Sequence, residues 1–193
     1  MKIKLSILLA AGLLFSCKYG LVKKPKSPEA ENENQLYMKE ILKRSENGYW
    51  LVVRGYKVTD HLVATATLTD YSHAALLDVN AKRVIEADAT GIHESSLEKF
   101  IDHSYTITVV KPFNYTKQLG DLAVNNANAK IGKAYDFLGT VGFNSPERYY
   151  CSELVVYCYP SIKDSVKLPP VIKPAYLLEL GTLIYESPVR KIK

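Results

Sequence analysis

The sequence predicts an α+β fold, and three observations carry that expectation. Segments of strand length and segments of helical period both occur, without the regular strand–helix–strand alternation of a parallel sheet. Two strand-like stretches, Tyr71–Leu77 and Arg83–Ala87, flank the short polar stretch Asp78–Lys82, as the arms of an antiparallel hairpin flank their loop. The composition is 47% hydrophobic and 23% charged over 193 residues, which suits a single domain with a core and excludes a disordered or collagen-like chain.

Taken in order, Gln35–Arg44 places Met38, Ile41 and Leu42 on one face of a helix. Gly48–Val53 reads as a strand, and Leu62–Leu68, with its alternating Thr and apolar residues, has strand composition. After the hairpin, Ser95–Asp102 predicts a short helix facing inward through Leu97, Phe100 and Ile101. Tyr105–Val110 alternates Thr with apolar residues as a strand does, and Pro112 ends it. Thr116–Ile131 predicts a helix burying Leu119, Leu122, Ala123 and Ile131 and closed by Gly132. Cys151–Tyr159 is apolar enough for a buried helix ended by Pro160, and Pro174–Leu180 and Thr182–Tyr185 predict a last helix and a last strand.

The N-terminus is a different kind of segment. Two lysines precede the eleven-residue apolar run Leu5–Phe15, broken only by Ser6, too short for a membrane-spanning helix of roughly 20 residues but the length of a signal-peptide core. Ser16-Cys17 follows, and a small residue ahead of Cys at this point resembles a bacterial lipobox, in which cleavage frees the Cys to carry lipid. An ordinary secretory peptide with an incidental Cys, or an uncut anchor, is the alternative. The expected organisation is therefore a lipoprotein signal over 1–16, a lipidated Cys17 with a solvated tether over 17–34, and a domain over 35–193. Removing Lys2 and Lys4 takes the formal charge from +5 to +3, so the basic pI gives no support to a nucleic-acid partner, and no basic-aromatic stripe does either.

Three cysteines are too few for a disulfide scaffold, and the His and Cys residues lack metal-ligand spacing, so neither a metal nor another cofactor is expected. Cys151 falls where a helix begins, a position that favours the thiolate through the helix dipole and free N–H groups; the alternative is a small buried hydrophobe. Cys158, seven residues on in an apolar run, reads as core. A thiolate nucleophile needs a base. His61, His93 and His103 lie in polar, loop-like settings, whereas His73 lies inside a strand. A lone strand histidine is more often a satisfied core residue than a catalyst. Antiparallel pairing across Asp78–Lys82 brings Glu86 beside His73 on one face, where it orients the ring, unless Glu86 is a solvent-facing edge residue.

The strand motif Ser72-His73-Ala74-Ala75-Leu76-Leu77, then Val84-Ile85-Glu86-Ala87, Tyr135-Asp136-Phe137 and Tyr150-Cys151-Ser152-Glu153-Leu154, resembles the YiiX/YebB-like, circularly permuted branch of the NlpC-type papain-like cysteine hydrolases. The resemblance runs from about Gly48 to Leu180. It implies a small antiparallel sheet packed against helices, with Cys151 at a helix N-terminus as nucleophile, His73 as general base and then acid, and Glu86 as third member. It implies that the Cys151 backbone N–H serves the oxyanion, and that Tyr135, Asp136, Tyr150 and Ser152 shape or border a substrate cleft. Asp136 and Glu153 read equally well as capping or pairing within the fold.

The function this implies is an envelope thiol hydrolase, anchored to a membrane through Cys17, that cleaves an amide through an acyl-enzyme. Its expected substrate is a peptide or acyl-amide of the peptidoglycan-fragment kind. Lecithin:retinol-acyltransferase-like proteins use the same permuted constellation on lipids, which makes acyl transfer or lipid hydrolysis the second enzymatic expectation. A non-catalytic binding lipoprotein is a third, set against the presence of Cys, His and Glu in one chain.

Overall fold

A computed structural model describes residue 24 and residues 27–190 of the chain. The strands β1 (Trp50–Gly55), β2 (His73–Asp78), β3 (Arg83–Asp88), β4 (Gly91–Ser96), β5 (Ser104–Pro112) and β6 (Gly181–Glu186) form one antiparallel sheet in the order β4-β3-β2-β1-β5-β6. The helices among the described residues are α1 (Pro28–Arg44), α2 (Val58–Thr67), α3 (Leu97–Asp102), α4 (Lys117–Asn128), α5 (Cys151–Tyr157) and α6 (Pro160–Ser165), with 3₁₀ turns at Gly139–Val141 and Pro174–Leu178. None of them is long and apolar enough to cross a membrane.

Strand β1 is buried along its whole length because helices cover both faces of the sheet at that point. Side chains alternate between faces along a strand. Trp50 and Val52, with Ala74, Leu76 and Ile85, pack against Ala123 and Val124 of α4 and Leu154 and Val155 of α5. Leu51 and Val53, with Ala75 and Leu77, pack under Tyr37 and Ile41 of α1 and Leu97, Phe100 and Ile101 of α3. Two-sided cover explains why residues 49–53 read as a continuous apolar run rather than an alternation.

The turn into β1 depends on Gly48, whose φ is +84°. A Cβ there would lie 2.3 Å from the Tyr159 hydroxyl oxygen and 2.7 Å from the Gly120 Cα. That hydroxyl donates to the Gly48 carbonyl at 2.8 Å. Gly48→Ala combines a disfavoured backbone with a clash at a buried hydrogen bond, and is expected to lower stability by about 2–4 kcal/mol. The measurement is a lower urea midpoint at unchanged m-value.

Several expectations are corrected. Leu62–Leu68 is not a strand; Leu62–Thr67 lies in α2, which Leu68 caps with φ 55°. Ala64 is the buried residue of α2, so the Thr and Val alternation has no face to bury, and the start signal lies upstream, where Asp60 accepts the Lys57 N–H at 2.9 Å. Residues 28–34 are not tether: α1 begins at Pro28 behind an Ser27 N-cap, with Glu29 and Glu31 in its first turn. Cys17, the signal segment and the rest of the tether before Lys24 lie outside the described residues. Helix α4 stops at Asn128 and buries Gly120, Ala123, Val124 and Ala127, leaving Leu122 and Ile131 exposed, because Gly120 must approach the Asn47 backbone. Pro160 ends one helix and sits at the first position of the next. Residues 91–94, read as loop, are most of strand β4, and His61 lies in α2.

Candidate active site

The site is built at the end of the sheet where β2 begins and β3 ends. Ala75 pairs opposite Glu86 in the β2–β3 ladder, so Glu86 is the diagonal neighbour of His73 and shares its side of the strands. The His73 Nε2 lies 2.7 Å from Glu86 Oε2, with the two side chains only 16% and 12% exposed. A charge-assisted bond in so dry a setting is strong. The Phe100 ring lies beside the imidazole, centroids 6.0 Å apart.

Cys151 is the first residue of α5, after the extended Tyr150. The buried thiol interacts with the His73 side chain, the Ala74 backbone N–H and Ser152, whose Oγ is 4.0 Å from the sulfur. With Nε2 committed to Glu86, Nδ1 is the imidazole nitrogen left for the thiol. Burial opposes charge on both partners. For Cys151 the hydrogen bond and charge of His73 outweigh burial and bring the thiol below its ordinary pKa. For His73, Cys151 and then Glu86 outweigh burial and hold the imidazolium well above its ordinary range. Glu86 in turn sits well below the carboxylate range, because His73 and His93 overcome its burial. Cys158 has no such partners; burial pushes that thiol up to about 12. The same residue type, seven positions apart, has its thiol pKa lowered in one place and raised in the other.

The remaining expected site residues take different places. Tyr135 bridges to Tyr149, stacks edgewise on Phe137 at 4.8 Å, and has its hydroxyl held un-ionised by burial and by the nearby Cys151. Asp136, Tyr150 and Ser152 are buried, and their side chains engage backbone groups around the start of α5 and the loop after Asp136. The Ile172 N–H donates to the Tyr150 hydroxyl at 2.8 Å, and Ser152 Oγ donates to the Ile172 carbonyl, so one residue anchors both sides of the α5 start. Asp136 accepts the Gly139 N–H at 2.9 Å and the Ser145 N–H at 2.8 Å, pinning the loop over residues 137–145. Asp136→Ala strands the buried Gly139 N–H and the half-buried Ser145 N–H and is expected to lower stability by about 2–3 kcal/mol. Faster proteolysis within 137–145 checks that the loss falls on this loop.

Two residues beside the site were given no part in it by the sequence reading, which placed His93 in a loop and Ser95 at a helix start. His93, on β4 directly opposite Glu86, brings its Nε2 to 3.6 Å from Glu86 Oε1. Ser95, two positions on, adds to the lowering of the Glu86 pKa. The usable signal is the spacing His93-x-Ser95, which puts both on one face if residues 91–96 are taken as a strand.

A thiol at a helix start, served by a strand histidine that comes earlier in the chain and backed by a carboxylate on the next strand, on an antiparallel sheet, is a papain-like arrangement in permuted order. The family described as "Permuted papain-like amidase enzyme, YaeF/YiiX, C92 family" matches residues 52–176, and the chain belongs to it. It is accordingly a cysteine peptidase or amidase by family. Among solved structures, one titled as metalloprotein yiiX from Escherichia coli O157:H7 shares the fold at TM-score 0.53 and 22% identity, over 73% of this chain and 88% of that one. Among the described residues of this chain, no group of three or more His, Cys, Asp and Glu is arranged to hold a metal ion. No curated protein sequence matches the chain.

Proposed function

We propose that the chain is an exported, membrane-anchored thiol hydrolase of the bacterial envelope that cleaves an amide bond in cell-wall peptides through Cys151, His73 and Glu86. The observation that carries this reading is the 2.7 Å His73–Glu86 pair set against a thiol of lowered pKa. Cys151 sulfur attacks the carbonyl carbon, and the C–N bond breaks as His73 gives its proton to the leaving amine. Water then attacks the thioester, His73 takes a proton from it, and carboxylate and thiol are released. Glu86 holds the ring orientation and stabilises the imidazolium. The Cys151 backbone N–H is the proposed oxyanion donor. The anchor is lipid on Cys17, supported by the signal-like segment before it.

A second reading, hydrolysis or transfer of a lipid acyl group, is favoured by one feature. The loop after Asp136 exposes Phe137, Leu138, Val141 and Phe143 at 59–73%, an apolar rim beside Tyr135 that a peptide of the wall does not need. The full chain and Cys151→Ala are to be incubated with muropeptides and, separately, with phospholipid vesicles. New amine groups from muropeptides with wild type alone support the first reading. Lysophospholipid or free fatty acid instead moves the assignment to the second, and no Cys151-dependent turnover of either overturns both. Metabolic labelling with a fatty-acid probe, lost in Cys17→Ala, tests the anchor.

A further inference from the structure

The Glu86 carboxylate is shared between two histidines, and only one of them has a place in the mechanism above. Oε2 meets His73 Nε2 at 2.7 Å, and Oε1 faces His93 Nε2 at 3.6 Å. The other His93 nitrogen, Nδ1, lies 3.2 Å from the Gly91 carbonyl. Both neighbours of the His93 ring are acceptors: a carbonyl oxygen on one side, a carboxylate oxygen on the other. A neutral imidazole has one N–H and one lone pair. It satisfies one of these acceptors and turns its lone pair on the other. Only the imidazolium donates to the carbonyl and still turns a charged N–H toward the carboxylate, at ion-pair distance.

We propose that His93 is a positioning residue of the site, which in its imidazolium form holds Glu86 Oε1 and thereby fixes Oε2 on His73. This rests on the reading of Cys151, His73 and Glu86 as the reacting group. The chain of contacts runs from the Gly91 carbonyl through His93 and Glu86 to His73. Among the described residues, the ion-pair partners of His93 both come from β3: Glu86, and Asp88, whose Oδ1 lies 3.8 Å from His93 Nδ1. Asp88 is itself occupied, by the N–H and hydroxyl of Thr90 on Oδ1 and by Lys57 on Oδ2 at 3.4 Å. Glu86 first, against the opposing effect of partial burial, raises the His93 pKa above its ordinary value.

The consequence for Cys151 has a definite sign. An ionised Glu86 opposes the thiolate as well as supporting His73; a cationic His93 offsets that opposition while keeping the carboxylate in place. The effect exists only where His93 is protonated. His93→Gln keeps a neutral N–H toward Glu86 and removes the charge, so wild type and variant differ at acid pH and converge above the His93 titration.

The test is iodoacetamide labelling of Cys151 in the full chain between pH 5 and 9, read at that residue by peptide mass spectrometry, with NMR titration of the histidine rings. His93 in wild type is expected to titrate above the ordinary histidine value, and His93→Gln to label about three- to tenfold more slowly at pH 5–6, equivalent to roughly half to one pKa unit on the thiol. The rates are expected to coincide at pH 9. A ratio constant across the range shows a merely structural residue and overturns the proposal, as does a His93 titrating at or below the ordinary value in wild type, a measurement needing no variant. Failure of the underlying reading looks different: Cys151 of the wild type then labels only as an ordinary thiol, whatever His93 does.

Discussion

Alanine in place of His73 is expected to cost Cys151 its reactivity near neutral pH, by about 100-fold or more at pH 6.5, a shift of at least two units on the thiol. Burial opposes the thiolate more strongly than any other influence on it, and His73 supplies the hydrogen bond and charge that reverse the balance. Without the imidazole, the Ala74 N–H and Ser152 remain, and Cys151 moves toward the state of Cys158, pushed up to about 12 by burial. The loss is therefore steep at pH 6.5 and recovers as the pH rises past the ordinary thiol range. Labelling of Cys151 by iodoacetamide against pH measures it. The sign is fixed on the other side too: the His73 pKa is raised, so the ion pair persists until the pH rises through that value. Glu86→Gln leaves His73 facing the thiol but removes its carboxylate, and is expected to bring the upper limb down. An unchanged profile in His73→Ala would leave the 2.7 Å His73–Glu86 bond a feature of the sheet with no bearing on the thiol.

How much of this was legible in the sequence depends on where the controlling forces lie. The β2–β3 hairpin was legible because a short polar loop between apolar arms sets its own register, and that register brings Glu86 to the diagonal of His73. The start of α5 at Cys151 was legible from local pattern. Strand β4 was not, because residues 91–96 face a carboxylate rather than a core at His93 and Ser95 and so lack apolar alternation. Helix α2 was misread for the complementary reason: Val63, Thr65 and Thr67 favour strands, and what decides the matter is a cap at Asp60 and a place at the sheet end that buries only Ala64. The burial face of α4 was half wrong because it answers to a close approach between Gly120 and the Asn47 backbone, 73 residues away and invisible to periodicity. Asp136, Tyr150 and Ser152 were recognisable as part of a motif, yet the motif could not say that their partners are backbone groups of Gly139, Ser145 and Ile172.

Glu153 supplies a prediction of the opposite sign to the usual carboxylate. It is 2% exposed, and its contact with the Tyr150 N–H is long at 3.4 Å. Burial raises its pKa to about 7, the Tyr150 N–H pulling it down and the neighbouring Asp136 adding to the rise. In the unfolded chain a glutamate titrates near its model value of 4.5. Between those two values the native state binds the proton and the unfolded state does not, so stability falls as pH rises through that window. The full penalty stands above pH 7, and two and a half units correspond to about 3 kcal/mol as an upper bound. Glu153→Gln keeps an acceptor for the Tyr150 N–H and removes the charge. Urea unfolding is therefore expected to show no difference from wild type at pH 4.5 and a gain of about 2–3 kcal/mol at pH 8. Glu86 behaves in the reverse sense: its lowered pKa gives stability present above the unfolded value and lost as pH falls through the folded one. The two carboxylates thus act on stability from opposite ends, one by losing its partner histidines' attraction in acid, the other by ionising beside Asp136 as the pH rises through about 7. A stability gain in Glu153→Gln that is equal at both pH values would place the effect in packing, and a loss at pH 8 would mean that the carboxylate has a partner stronger than the Tyr150 N–H.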